Sequence, residues 1–218
     1  MAAIDADGVS STLEDGVASL FGTAKGDGNG DGLADSQQSN VTSAPFLNTP
    51  SSQSNPGSAA QTYITLVADS IGGKIDTSDN NSATLSQVQQ LDAPAHLPTG
   101  MTMPLGLTAF IANVGQSSVA GTGVTETFSL YVDASLHVNG YWVENAAGTW
   151  VNLASAAYGG QVVSEGGRIR LDFKLTDGGA FDADHAVNSV IVDPGAAGFV
   201  PLSVVGTPPV TPAGGYWF

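Results

Sequence analysis

Arg168-Ile169-Arg170-Leu171-Asp172-Phe173-Lys174-Leu175 decides the fold class of this chain. Apolar Ile169, Leu171, Phe173 and Leu175 alternate with charged Arg168, Arg170, Asp172 and Lys174, the period of two expected of a strand with one face on a core. Outward from it, Glu126 to Asp133 repeats the pattern, with Phe128, Leu130 and Val132 directed inward and Ser129 and Tyr131 outward. Tyr63 to Val67 is a β-branched and aromatic run, and Leu105 to Val114 is apolar on both faces, as a central strand can be. Tyr141-Trp142-Val143 and Trp150 to Leu153 flank a hairpin over Glu144 to Thr149. Val190 to Val192 and Phe199 to Val205 supply the last strands. Short strands between Gly-rich turns, without βαβ alternation, predict a mainly β chain. The fold expected over 61–207 is an antiparallel β-sandwich, jelly-roll-like, preceded by a small N-terminal calcium-loop and short-helix segment.

That preceding segment, 1–40, carries the most specific motif. In Asp27-Gly28-Asn29-Gly30-Asp31-Gly32-Leu33-Ala34-Asp35, side-chain oxygens fall at alternate positions, Asp27, Asn29 and Asp31. Gly32 stands where an EF-hand-type loop turns sharply, Leu33 would give its backbone carbonyl, and Asp35 a direct or water-bridged oxygen. This donor set suits a hard cation, calcium (Ca2+) before magnesium. Gln38 stands where a bidentate Glu would close the site, so another carboxylate or a modest affinity is implied. A turn that binds nothing is the competing reading, since Gly, Asn and Asp dominate turns for conformational reasons.

Upstream, Asp5-Ala6-Asp7-Gly8-Val9 followed by Glu14 looks like a second such loop that has lost its beginning. With Gly8 aligned on Gly32, Asp5 and Asp7 take the third and fifth positions, Val9 the carbonyl position and Glu14 the closing one. Ala3 falls on the first, leaving the site incomplete. A short helix over roughly Ser11 to Phe21 should bury Leu13, Val17, Leu20 and Phe21. Residues 41–60 read as a Pro/Ser/Asn-rich linker, extended or poorly ordered. A third acidic constellation comprises Asp177, Asp182, Asp184, Asn188 and Asp193. Alternate oxygens recur in it, and either another ion or a solvated acidic loop accounts for them.

Composition narrows the partners. The 218 residues include 20 acidic and 5 basic ones, a net charge of −15, and 42% hydrophobic residues suffice for a core. Without clustered Lys and Arg, neither nucleic acid nor an anionic membrane surface is a partner. No apolar run approaches the ~20 residues of a membrane-spanning helix, so no membrane insertion is expected. Cysteine is absent, which together with loops suited to millimolar calcium points to an extracellular or bacterial cell-surface location. Met1-Ala2-Ala3-Ile4 forms no signal peptide, so an exported protein would be represented here by a fragment.

Three segments together resemble one family. They are GDGNGDGLADSQQSNVTS (Gly26–Ser43), GYWVENAAGTWVNL (Gly140–Leu153) and GGRIRLDFKLTDGGAFDADHAVNSVIVDPGAAG (Gly166–Gly198). The family is the choice-of-anchor U domain of bacterial surface proteins, here preceded by loops similar to thrombospondin type 3 repeats and dockerin modules. The resemblance implies calcium and an exported surface protein, and it implies no activity. His185 departs from it by standing where members show Gly. The Pro/Gly tail 208–218, ending in Tyr216-Trp217-Phe218, lacks any sorting motif.

No catalytic constellation emerges. His96, His137 and His185 lie in unrelated segments, G-x-S-x-G is missing, and zinc-type His spacing is absent. Tyr141, Trp142, Trp150 and Tyr158 would form either a sugar platform or, as aromatics more often do, part of the core. The chain therefore reads as a non-catalytic, calcium-binding module with a stalk, display or assembly role. The alternatives are a self-assembling subunit of an extracellular fibre or layer, joined through the C-terminal tail, and a glycan-binding or other adhesion module.

Overall fold

The computed structural model describes residues 5–48, 61–78, 83–119 and 121–201. After a single-turn helix α1 (Ser11–Glu14) come β1 (Val41–Leu47), β2 (Gln61–Ala68), β3 (Ser70–Ile71), β4 (Lys74–Ile75), β5 (Thr84–Leu91) and β6 (Leu107–Asn113). They are followed by β7 (Thr125–Asp133), β8 (Gly140–Glu144), β9 (Trp150–Asn152), β10 (Gln161–Glu165), β11 (Arg168–Thr176) and β12 (Val190–Gly198). Two five-stranded antiparallel sheets, ordered β1-β2-β7-β11-β10 and β5-β6-β12-β8-β9, face one another, with β3 and β4 forming a separate small hairpin. This is the expected antiparallel β-sandwich.

The inner faces follow the alternation read from sequence. Phe128, Leu130 and Val132 of β7 and Leu171, Phe173 and Leu175 of β11 all lie in the main core. Rings cross that core in a row, Phe110 tilted against Phe128 (centroids 5.2 Å apart), Phe128 stacked on Phe173 (5.5 Å) and Phe173 stacked on Tyr141 (3.7 Å). Such contacts add to plain area burial. Tyr141 is thus a core residue. Trp142 and Trp150 pack half-buried against Met101 and Met103 in a separate cluster, while Tyr158 is exposed and meets Phe181 edge-on.

Three expectations need correction. The first half of the proposed 41–60 linker is β1, paired along its length with β2 from Val41↔Val67 to Leu47↔Gln61. It is an edge strand, where Pro45 is tolerated because no sheet neighbour needs its missing N–H. Residues 49–60, like the tail 208–218, lie outside the described residues. The helix expected to reach Phe21 stops at Glu14, one residue short of Asp15-Gly16. Val17 and Leu20 are buried as expected, but Leu13 and Phe21 are exposed.

Finally, the N-terminal segment is not set apart from the sandwich. Val9 belongs to the main core, beside Phe46 and Val88. Leu20 packs on Val41, Val67 and Tyr131, the outer face of the first sheet. Residues 5–40 form a strap on that sheet, and outward-pointing Tyr131 is fully buried under Leu20 and the β3–β4 hairpin, whose Ser70 also bonds buried Ser129 (2.7 Å).

Candidate metal centre

The strap positions both N-terminal loops. Around Asp27 the chain curls so that Oδ1 accepts N–H bonds from Gly30 (2.7 Å) and Asp31 (3.1 Å), and Oδ2 one from Gly32 (3.1 Å). Asp31 accepts from the Leu33 amide (2.9 Å) and from the side chains of Asn29 (3.1 Å) and Gln38 (2.8 Å). Gln38 thus reaches back across the loop from the closing position, and its Oε1 is buried without a partner. The turn at Gly32 has φ 95°, a left-handed value that favours glycine.

Asp35 does not join Asp27 and Asp31. It turns into the fold, taking the Gly28 amide (2.9 Å) and the Ser43 hydroxyl. Ser43 in turn contacts the Thr65 hydroxyl (2.7 Å), to which Arg168 donates (3.1 Å). A Cβ on Gly28 would collide with Thr65 and Ser43, so the loop is seated on the sheet through its glycine. Burial raises the Asp35 carboxyl to about 7, opposed by its Ser43 and Gly28 hydrogen bonds and reinforced by Asp27 and Asp31. Ser43, Thr65 and Arg168 are the supporting residues that sequence reading missed; nothing in their own segments marks them.

Upstream, the structure gathers Asp5, Asp7 and Glu14. One carboxylate oxygen from each lies within 4.8 Å of the other two, and among the described residues this is the acidic group so arranged. Asp7 and Glu14 are 0% exposed. Asp7 Oδ1 takes the Val9 amide (2.7 Å) and Glu14 Oε1 the Ser43 amide (3.4 Å). Asp7 Oδ2, Glu14 Oε2, both Asp5 oxygens and the nearby-in-sequence Ser11 Oγ are buried without partners. Burial, then the charges of Asp7 and Asp5, push Glu14 up to about 9, and burial with Asp7 lifts Asp5 to about 6. Buried, unsatisfied and mutually repelling oxygens are costly unless a proton or cation joins them. The donors are all hard oxygens, which fits calcium rather than a soft metal.

The C-terminal constellation is held by bonds to its own backbone. Asp177 accepts the amides of Asn188 and Ser189 (both 3.0 Å), and Asp182 those of Gly178 (2.8 Å) and Val192 (3.0 Å). Asp184 accepts from Ala186 N (2.8 Å) and Asn188 Nδ2 (3.0 Å). His185 sits at φ 53°, a left-handed value that His tolerates better than most residues. Asp193 turns into the core, where the Tyr141 hydroxyl donates to it at 2.5 Å and Oδ1 is left without a partner. Replacing Asp182 by Ala orphans two amides, so we expect a loss of about 3 kcal/mol, equal in calcium and in chelator. Paired urea titrations check this, and a loss confined to the calcium buffer would refute it.

His96, His137 and His185 are all exposed. Comparison with protein-family models, with curated proteins and with solved structures finds no match.

Proposed function

We propose that this chain is a non-catalytic, calcium-binding β-sandwich module of an exported bacterial surface protein, with a stalk, display or assembly role. The observation that supports it is the Asp5–Asp7–Glu14 trio, whose buried oxygens face one another with partners missing. A divalent cation would relieve both the repulsion and the lost hydration there. The loop from Asp27 to Gln38 supports the same reading, with its preformed turn and buried amide oxygen. Location and class rest on the sequence resemblance, the acidic charge and the absence of cysteine.

Calorimetric titration of the chelated protein tests the proposal. Calcium is expected to bind below millimolar concentration, and more tightly than magnesium, which resists losing its water. Glu14→Gln should weaken one binding event on the order of tenfold or more, since it removes one ligand charge. No heat with calcium below millimolar overturns the proposal.

A further inference from the structure

The seam where the two sheets meet along β1 and β5 places the acidic trio in a specific mechanical position. β1 is an edge strand, and an open edge invites pairing with another chain. Its outward amides are each accounted for. Val41 N–H goes to the Gln38 carbonyl (3.0 Å), Ser43 N–H to Glu14 (3.4 Å), Pro45 has none, and Leu47 N–H goes to Gln90 Oε1 (2.9 Å). Gln90 also returns its Nε2 to the Leu47 carbonyl (2.6 Å). On the facing edge, Leu85 N–H goes to the Ser39 carbonyl (2.7 Å) and Val88 N–H to the Asp7 carbonyl (3.3 Å).

Two members of the trio therefore hold the two sheets, one each. Glu14 grips β1 through Oε1, keeps Oε2 buried without a partner, and offers a carboxylate oxygen to the trio. Asp7 grips β5 through its backbone carbonyl and turns its carboxylate to the same point. Between them Val9 plugs the core against Phe46 and Val88. Both grips are long hydrogen bonds, near the outer limit of useful geometry, and three unneutralised carboxylates would push them apart.

We infer that a calcium ion held by Asp5, Asp7 and Glu14 is a latch that closes the β1/β5 seam of the sandwich. This rests on the calcium reading of the trio and adds what the ion does there. With the ion in place, the strap is drawn onto both edges at once. Without it, the Ser43 and Val88 amides lose their acceptors while Leu47, closed by Gln90, keeps its own.

Residue-resolved amide exchange by NMR, on the full chain in saturating calcium chloride and in chelator, tests the latch. Ser43 and Val88 amides are expected to exchange at least roughly tenfold faster in chelator, with Leu47 and Leu130 little changed. In Glu14→Gln, which keeps an acceptor for Ser43 but lacks the charge, the calcium concentration needed to slow these two amides should rise roughly tenfold or more. Calcium binding by calorimetry with unchanged Ser43 and Val88 exchange overturns the latch and leaves the metal site standing. Acceleration spread evenly over Leu47 and Leu130 also overturns it, because the ion would then act on the whole domain. An absence of calcium binding overturns both.

Discussion

Stripped of divalent metal, the protein is expected to unfold at a higher temperature near pH 5 than at about pH 8, and saturating calcium is expected to narrow that gap. The carboxyls of Asp5, Glu14 and Asp35 are raised by burial from 3.8, 4.5 and 3.8 to about 6, 9 and 7. They hold protons more tightly folded than unfolded. Their contribution is thus fully present below about pH 4 and is lost as pH rises through their folded values. Most acidic proteins lose stability toward acid, so the direction is diagnostic. At Asp5 and Glu14 calcium is expected to replace the protons with a compensating charge, while Asp35 keeps its own pH dependence. At a hundredfold excess over its dissociation constant one ion adds about 2.7 kcal/mol, or roughly 5–10 °C for a domain this size. Calorimetric melts at both pH values, with and without chelator, measure it. A chelated protein that is more stable at pH 8 than at pH 5 would contradict the assignment.

Asp193→Asn is expected to change sign with pH. Burial drives the Asp193 carboxyl from 3.8 to about 7, against the pull of its Tyr141 hydrogen bond, and burial first and then the same carboxylate push the Tyr141 hydroxyl well above its ordinary value. Ionising a group so placed costs about 4 kcal/mol. Asparagine keeps an oxygen for the Tyr141 hydroxyl and cannot ionise. In chelator at about pH 8 the variant should gain up to ~4 kcal/mol, whereas near pH 4 it should lose ~1 kcal/mol for its unpartnered amide hydrogens. Urea titrations at the two pH values decide. A loss of similar size at both would mean that the ionised carboxylate is met by a positive charge.

What the sequence disclosed depended on whether a residue's role was local. β7 and β11 were legible because one face of each lies on the main core, so Phe128, Leu130, Leu171 and Phe173 recur with the strand period. The loop from Asp27 was legible because its turn is built from its own residues, Asp27 bonding Gly30, Asp31 and Gly32. β5 was not, since a bulge between Ser86 and Gln89, with Gln87 at φ 52°, breaks its alternation. β1 was hidden by Pro45 and by polar Thr42 and Ser43, the first buried on the face of Ala44 and Phe46 and the second bonded to Glu14 and Asp35 of the strap. The partners of the acidic residues were equally hidden. Asp35 finds Ser43, and Glu14 finds the Ser43 amide 29 positions on; no spacing rule within a loop encodes either contact.

The bond from Arg168 to the Ala18 carbonyl spans 150 positions, and this sets a schedule. The strap precedes the strands in the chain and has no complete sheet to lie on until β11 (Arg168–Thr176) has been made. Dominance of distant pairings slows folding, and an unfinished strap leaves the β1 edge and Val9 uncovered in the meantime. The strap is accordingly expected to be among the last parts to settle, so the hazard of chains pairing by their edges is greatest during folding rather than in the finished protein.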